Sequence, residues 1–293
     1  MKIEYAEAGN KNNYFWIIKI ILKIILFRLP FAYQVWKKIG IFRHGKMDNV
    51  DYAFNTFLMH IKNLNLDIND IQGKVVLEIG PGDSVATALI VSSLGAKCIL
   101  IDANNFISNN LDFYQKLHKK LLNFGLNPPD IKQSKNISEI LQICNSHYYI
   151  EGLSSLKNID SESIDLIFST AVLEHIKLNE FKFTIDELKR VLKPGGLSSH
   201  EIDLKDHLNM SLNNLRFSEK LWESNLFSES GFYTNRIRYR KIIKIFESSG
   251  FKVETISKKI WKDYPLDIKS INDEFKNESV EQMLISSFNL ITK

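Results

Sequence analysis

The stretch Val75-Val76-Leu77-Glu78-Ile79-Gly80-Pro81-Gly82-Asp83-Ser84 decides the fold. An apolar strand runs directly into a glycine turn and then a helix, and a second strand over residues 96–101 closes on Asp102. Gly80 and Gly82 permit positive φ and a close backbone approach that a Cβ would obstruct. A helix starting near Ser84 directs open N–H groups at whatever lies over the turn. Asp102 stands 20 residues beyond Gly82, the distance at which a βαβ unit offers an acid to a ribose hydroxyl pair. The expectation is an α/β sheet that binds a nucleoside-bearing cofactor.

A dinucleotide turn reads Gly-x-Gly-x-x-Gly, and this one departs from it. Glu78 precedes the first glycine, Pro81 sits inside the turn, and Ala86 and Thr87 fill the later positions. A carboxylate there repels a pyrophosphate and suits a cation, and the amino-acid end of S-adenosylmethionine carries an ammonium beside a sulfonium. The stretch resembles the first motif of the class I S-adenosylmethionine-dependent methyltransferases, Glu/Asp-x-Gly-x-Gly. Ser84 stands where that family often has a third glycine, so a contact there falls to a hydroxyl or to the backbone. Later segments resemble the same family in the same order: Glu151-Gly152-Leu153 after a strand candidate at 147–150, then Asp165 through Ser169-Thr170-Ala171 to Leu173-Glu174-His175, then Leu192-Lys193-Pro194-Gly195-Gly196. The resemblance spans residues 75–203.

That resemblance implies a Rossmann-like class I methyltransferase fold. Its sheet would have seven strands, mostly parallel with a C-terminal antiparallel strand, and helices on both faces. The strands over 251–256 and 283–291 would form the terminal hairpin. It implies S-adenosyl-L-methionine as cofactor, with Glu78, Gly80, Pro81, Gly82 and Ser84 around the methionine moiety, Asp102 and Ala103 at the ribose, and Gly152 and Leu153 at the adenine edge. Ser169, Thr170 and Ala171 lie at a strand's carboxyl end, where open α/β sheets bind ligands. His175 is a further cofactor contact, with helix capping as the competing reading. Asp165 is read as pinning a turn, and Pro194 with its two glycines as architecture.

Composition fits this class. The chain has 293 residues, 44% of them hydrophobic, enough to fill a core. Two cysteines, Cys98 and Cys144, supply neither a disulfide framework nor a metal spacing and suit a reducing cytoplasm. No cleavable secretory signal is expected. Residues 1–46 hold nine Lys or Arg against Glu4 and Glu7, a net of +7 in a chain whose total is +4. Within this arm residues 14–28 form an apolar run broken by Lys19 and Lys23, too short and too charged to span a bilayer, which takes roughly 20 apolar residues. It is read as an interfacial helix, with Phe15 and Trp16 at the headgroups and the lysines snorkelling to anionic lipid. The alternative is packing on its own domain or on a partner, and oligomerisation is left open. The arm lacks an RNA-binding signature, so no nucleic-acid partner is expected. The expected organisation is an N-terminal basic helical extension and cap over 1–65 and a methyltransferase domain over 66–293, with a helical insertion at 104–146.

The segment Ser198-Ser199-His200-Glu201-Ile202-Asp203-Leu204-Lys205-Asp206-His207 is richest in chemistry. Alternation puts His200, Ile202 and Leu204 on one strand face and Glu201, Asp203 and Lys205 on the other. Transfer of a methyl group to a hydroxyl gains from a base that takes the proton, and histidine's ordinary pKa suits that task. His200 is the expected base, and Asp203 and His207 complete the catalytic set. The same three residues permit a divalent-ion reading, but no metal ligand is assigned. The segment also resembles methyltransferases of bacterial surface-glycan synthesis, as does Asn235-Arg236-Ile237-Arg238. Arg43, His44, Asn235, Arg236 and Arg238 are the expected substrate-binding residues, the arginines suiting a phosphate. The expected function is methyl transfer to a hydroxyl of a sugar or phosphorylated precursor of capsule or lipopolysaccharide. It would take place in the cytoplasm, at the inner face of the membrane. A small-molecule or lipid N- or C-methyltransferase, or a non-catalytic cofactor-binding subunit, is the alternative.

Overall fold

The computed structural model describes residues 1–8, 15–28 and 46–293. In chain order its main elements are β1 (Lys2–Ala6), α1 (Phe15–Phe27), α2 (Val50–Asn63), β2 (Val75–Ile79), α3 (Ala86–Ser93), β3 (Lys97–Ile101), α4 (Leu111–Asn123), α5 (Ile137–Ile143), β4 (His147–Tyr149), α6 (Leu153–Lys157), β5 (Ile164–Thr170), α7 (Leu178–Val191), β6 (Leu192–Asp203), α8 (Glu219–Trp222), α9 (Asn225–Ser228), α10 (Tyr239–Ser248), β7 (Val253–Trp261), α11 (Val280–Leu284) and β8 (Ile285–Thr292). They fall into two compact units. One comprises Ala32–Thr170, Asp186–His200 and Ile291–Lys293, and the other comprises Met1–Phe31, Ala171–Ile185 and Glu201–Leu290.

In the first unit the strand order is β6-β5-β2-β3-β4. β2 runs parallel to both β3 and β5, with Glu78 in register with Leu100 and Phe168, and β3 runs parallel to β4. These strands are continuous apolar runs because both of their faces are covered. Val76, Leu77, Leu100, Ile167 and Phe168 are all buried. α3 follows the glycine turn and is apolar around most of its circumference, which suits a helix enclosed on all sides. Residues 86–91 are buried without exception. α2 starts where the Asn49 side chain accepts the Tyr52 N–H at 2.9 Å. It buries Ala53, Phe54, Phe57, His60 and Ile61, one helical face. Phe57 meets Phe168 edge-on with centroids 6.0 Å apart, and removing so buried a ring as Phe168 would cost about 3–5 kcal/mol.

The second unit carries β1-β7-β8 beside the end of β6. The Leu204 N–H donates to Ser286 O at 2.8 Å, and the C-terminal strands are antiparallel. The sheet therefore has eight strands, one more than the seven expected. The addition is β1, which pairs in parallel with β7 from Lys2 opposite Ser257 to Ala6 opposite Trp261. In the sequence its five residues show only as part of a basic arm, because a short edge strand exposed on most positions has no periodic signature. A second difference lies at Leu192, where strand pairing starts, ahead of the Pro194-Gly195-Gly196 cluster expected to precede it.

α1 packs on its own unit. Trp16 and Ile20 are buried in a cluster with Leu208, Trp222, Phe227, Phe232 and Tyr233. Lys19 Nζ donates to Leu208 O at 2.8 Å and Lys23 Nζ to Gly231 O at 3.3 Å. This corrects the expectation of lysines reaching toward lipid and of Trp16 at the headgroups. The lysines end on backbone carbonyls of the same unit, and burial, with Lys19 second, pushes the Lys23 pKa down to about 8. The outward face is aliphatic and aromatic: Phe15, Ile17, Ile18, Ile21, Leu22 and Ile25 are exposed. Among the described residues no helix is long and apolar enough to cross a membrane.

Candidate functional site

The first unit holds the glycine turn and its acids. Gly80 and Gly82 adopt φ of +71° and +67°, values at which a Cβ is strained. The Gly80 N–H closes onto Ile101 O at 2.8 Å, joining the turn to the end of β3. There Asp102 accepts the Gly82 N–H at 3.3 Å on one carboxylate oxygen and the Ala103 N–H at 2.8 Å on the other. Burial raises its pKa to about 6 against the pull of those two bonds. Gly152, with φ of +51°, donates its N–H to Asp102 O at 2.9 Å, so the β4–α6 turn is tied to the same point. Leu153 opens α6 directly after it.

Glu78 is 5% exposed, and its Oε2 has no hydrogen-bond partner. Desolvation raises its pKa to about 7; a hydrogen bond from Thr87 opposes the rise and Asp102 adds to it. A buried carboxylate with an open oxygen is a place prepared for a cation. Ser84 Oγ donates to Met47 O at 2.6 Å, so its hydroxyl holds the chain ahead of α2. The 104–146 segment supports the turn as well: the Val85 N–H donates to Tyr114 OH at 3.0 Å and the Ser108 N–H to Asp83 O at 2.9 Å. Asp165 accepts the Val75 N–H and Lys193 Nζ, each at 2.8 Å, and so anchors the start of β2.

His200 is fully buried, not at an open edge. Its Nδ1 meets Ser169 Oγ at 2.7 Å and its Nε2 meets Ser198 Oγ at 2.8 Å, and Ser198 Oγ pairs in turn with Thr292. Burial, with His60 second, lowers its pKa to about 3. With both ring nitrogens engaged and no access to an acceptor, this placement does not fit the expected base. The alternation that suggested it is real: His200, Ile202 and Leu204 are buried and Glu201, Asp203 and Lys205 half-buried. The buried face simply leads into the core. His60 is a functional-type residue that the sequence reading passed over. It stacks on Phe168 at 4.9 Å, and its ring nitrogens meet Ser199 Oγ and Thr170 Oγ1, each at 2.8 Å. Its spacing three residues after Phe57 signals only a core face.

The second unit gathers a different group. Glu174 is 3% exposed; its Oε1 accepts the Asp203 N–H at 3.3 Å and its Oε2 has no hydrogen-bond partner. Desolvation, with Asp203 second, raises its pKa well above the carboxylate range. His175 Nδ1 lies 2.9 Å from Tyr233 O, which can only accept, so the proton sits on Nδ1. Desolvation of its packed side lowers the His175 pKa, while one edge of the ring stays accessible. The His175 and His207 rings are 4.7 Å apart. Asp203 pairs with Lys205 at 3.0 Å. Ala171, expected at the cofactor, opens this unit with φ of +50° and its N–H on Glu201 O.

The expected phosphate ligands prove structural. Arg238 is 3% exposed and donates to the carbonyls of Leu204, Gln282, Met283 and Ile285. Arg236 donates to Asn214 O and Phe217 O and lies over the Trp222 ring. Asn235 donates to Leu173 O and Ile176 O, holding the Glu174-His175 turn in place. In each case the polar head satisfies buried backbone carbonyls, and the buried Nε of Arg236 and of Arg238 is left without a hydrogen-bond partner. Arg43 and His44 lie outside the described residues.

No curated protein matches this sequence. Among solved structures, the YcgJ protein from Bacillus subtilis aligns at 15% identity over 80% of this chain and 98% of its own, with a TM-score of 0.41. An S-adenosylmethionine-dependent methyltransferase from Mesorhizobium loti aligns at 11% identity over 76% and 92%, also at 0.41. Phosphoethanolamine N-methyltransferase 2 of Haemonchus contortus aligns at 14% over 75% of this chain, which spans about half, 48%, of that protein's length, at 0.38. The sequence pattern of the methyltransferase-domain family matches residues 52–256, well over half of the chain. The chain therefore belongs to the methyltransferase-domain family.

Proposed function

We propose that the chain methylates a hydroxyl of a sugar or of a phosphorylated precursor in surface-glycan synthesis. Glu78 and the Gly80–Gly82 turn hold the methionine moiety, Asp102 and Ala103 the ribose, and Gly152 and Leu153 the adenine edge. When bound, S-adenosylmethionine would supply an electrophilic methyl group to the acceptor hydroxyl, and a base of this chain would take the hydroxyl proton.

The observation that carries the acceptor reading is the placement of Asp203 and His207. Of the three expected catalytic residues, these two are half-buried and keep access to solvent. They stand near His175, a polar, hydrogen-bonding setting suited to a hydroxylated acceptor. The resemblance of the whole 200–207 segment to glycan methyltransferases supports the same substrate class. The exposed apolar face of α1 supports work at the inner surface of a membrane, where such precursors are assembled. Methyl transfer from labelled S-adenosylmethionine to a panel of nucleotide-linked and lipid-linked sugars tests the proposal. Asp203→Asn should lower turnover by about 100-fold and leave cofactor affinity within twofold. Transfer confined to amine acceptors would overturn it.

A further inference from the structure

We propose that Glu174, His175 and His207 form a binding site for one divalent transition-metal ion of the zinc class, held by two imidazole nitrogens and a carboxylate oxygen. Each residue offers one ligand atom, and these atoms all lie within 4.8 Å of one another. An ion with bonds of about 2.1 Å needs tetrahedral ligands roughly 3.4 Å apart, so modest rotation of two rings and a carboxylate closes the set.

Several independent features point to a cation here. Glu174 Oε2 is buried and without a hydrogen-bond partner, although Oε1 of the same carboxylate is bonded. Such an oxygen is costly to leave unmatched, and a metal ion removes the cost. His175 donates from Nδ1 to Tyr233 O at 2.9 Å, which turns the lone pair of Nε2 outward. A histidine held this way by a backbone carbonyl is the usual arrangement behind a metal–imidazole bond. His207 is carried on a rigid loop, because the buried Asp206 carboxylate accepts the N–H groups of Leu208, Asn209 and Asn213. His175 is exposed and His207 half-buried, so the cluster opens toward solvent on the His175 side.

Nearby charges act in both directions. Asp203 favours a cation beside His175, and the Lys23 ammonium opposes it. The donor set selects the metal: two imidazoles and one carboxylate suit Zn²⁺ or Co²⁺, whereas Mg²⁺ and Ca²⁺ take oxygen ligands. Three protein ligands leave at least one position open for water or for an oxygen of a bound molecule. This site lies outside the glycine turn and its acids, and its occupancy does not depend on which acceptor is methylated.

The untagged full-length chain, stripped with chelator, is titrated with Co²⁺ in excess Mg²⁺, and Zn²⁺ is then added. The expected result is one Co²⁺ per chain with a visible d–d band, displaced by Zn²⁺, and a thermal midpoint raised by Zn²⁺. His207→Ala and Glu174→Gln should weaken binding by roughly 100-fold, whereas His147→Ala, an exposed histidine on β4, should leave it unchanged. Glu174→Gln keeps the acceptor for the Asp203 N–H and serves where a histidine variant fails to fold. Absence of the Co²⁺ band in folded wild type overturns the proposal, as does full binding in folded His207→Ala or Glu174→Gln. Cofactor binding, measured on the same stripped sample, reports separately on the methyltransferase site.

Discussion

Glu78 shows how the fold sets the protonation of one side chain. Its position at the end of an apolar strand buries it, and burial lifts its pKa to about 7. In the cofactor-free protein the folded state holds a proton that the unfolded state has released, so stability falls as pH rises from 4.5 to about 7. Glu78→Gln should therefore be more stable than wild type at pH 8 by about 3 kcal/mol, measured by denaturant unfolding without cofactor. A cationic ligand reverses the balance because it favours the ionised form. S-adenosylmethionine affinity should rise about tenfold from pH 6 to pH 8, and calorimetric titration should find that slope gone in Glu78→Gln. An equal slope in the variant would remove Glu78 from the methionine site. The sequence singles out Glu78 because it stands directly before the Gly80–Gly82 turn at the end of an apolar strand. His200 was misread because period-two alternation tells which residues share a face and not which face is dry.

At the scale of elements, α1 separates two roles within one helix. Its inner residues, Trp16 and Ile20, belong to the aromatic cluster of the second unit, and Trp16 stands edge-on to Phe217 at 6.1 Å. Trp16→Ala should cost about 3–5 kcal/mol, read by denaturant unfolding. Its outer residues touch solvent, so Ile17→Glu with Ile21→Glu should change stability little and should remove the vesicle sedimentation that the proposed membrane contact requires. Because Lys19 and Lys23 end on backbone carbonyls, that vesicle binding should also persist at 0.5 M salt, against the steep loss expected of a lysine-driven contact. Salt-sensitive binding that survives the double substitution would sink the apolar-face reading. Hydropathy marked the helix, yet could not divide its nearly uniform aliphatic run into inner and outer faces. The partners that divide it, from Leu208 to Tyr233, come almost two hundred residues later in the chain.

For the molecule as a whole, opposing titrations set the response to acid. His60 and His200 are buried neutral with pKa values pushed down to about 3. Below the ordinary histidine value of 6.5 the unfolded chain takes protons that the folded one refuses, so each lowers stability by about 1.4 kcal/mol per pH unit. Glu78 and Asp102, both raised by burial, act with the opposite sign between their ordinary and folded values. The rise in thermal midpoint produced by S-adenosylmethionine should grow with pH, as scanning calorimetry would show. A rise that shrinks with pH would contradict the assignment of Glu78 and Asp102 to the cofactor.

The sequence by itself determined the order of the main strands and longer helices from Val75 onward and the glycine turn with its two acids. Each of these is a local pattern in which spacing, apolar runs and turn residues act within one βαβ unit. Only the tertiary structure decided which polar residues face solvent and which satisfy the interior. It placed Arg236, Arg238 and Asn235 on buried carbonyls and closed His200 between serines. It also brought His207 to His175 and Glu174 across more than thirty residues of chain. Burial and pairing of this kind are set by segments distant in sequence, and a buried carbonyl that needs a donor leaves no mark in the local pattern.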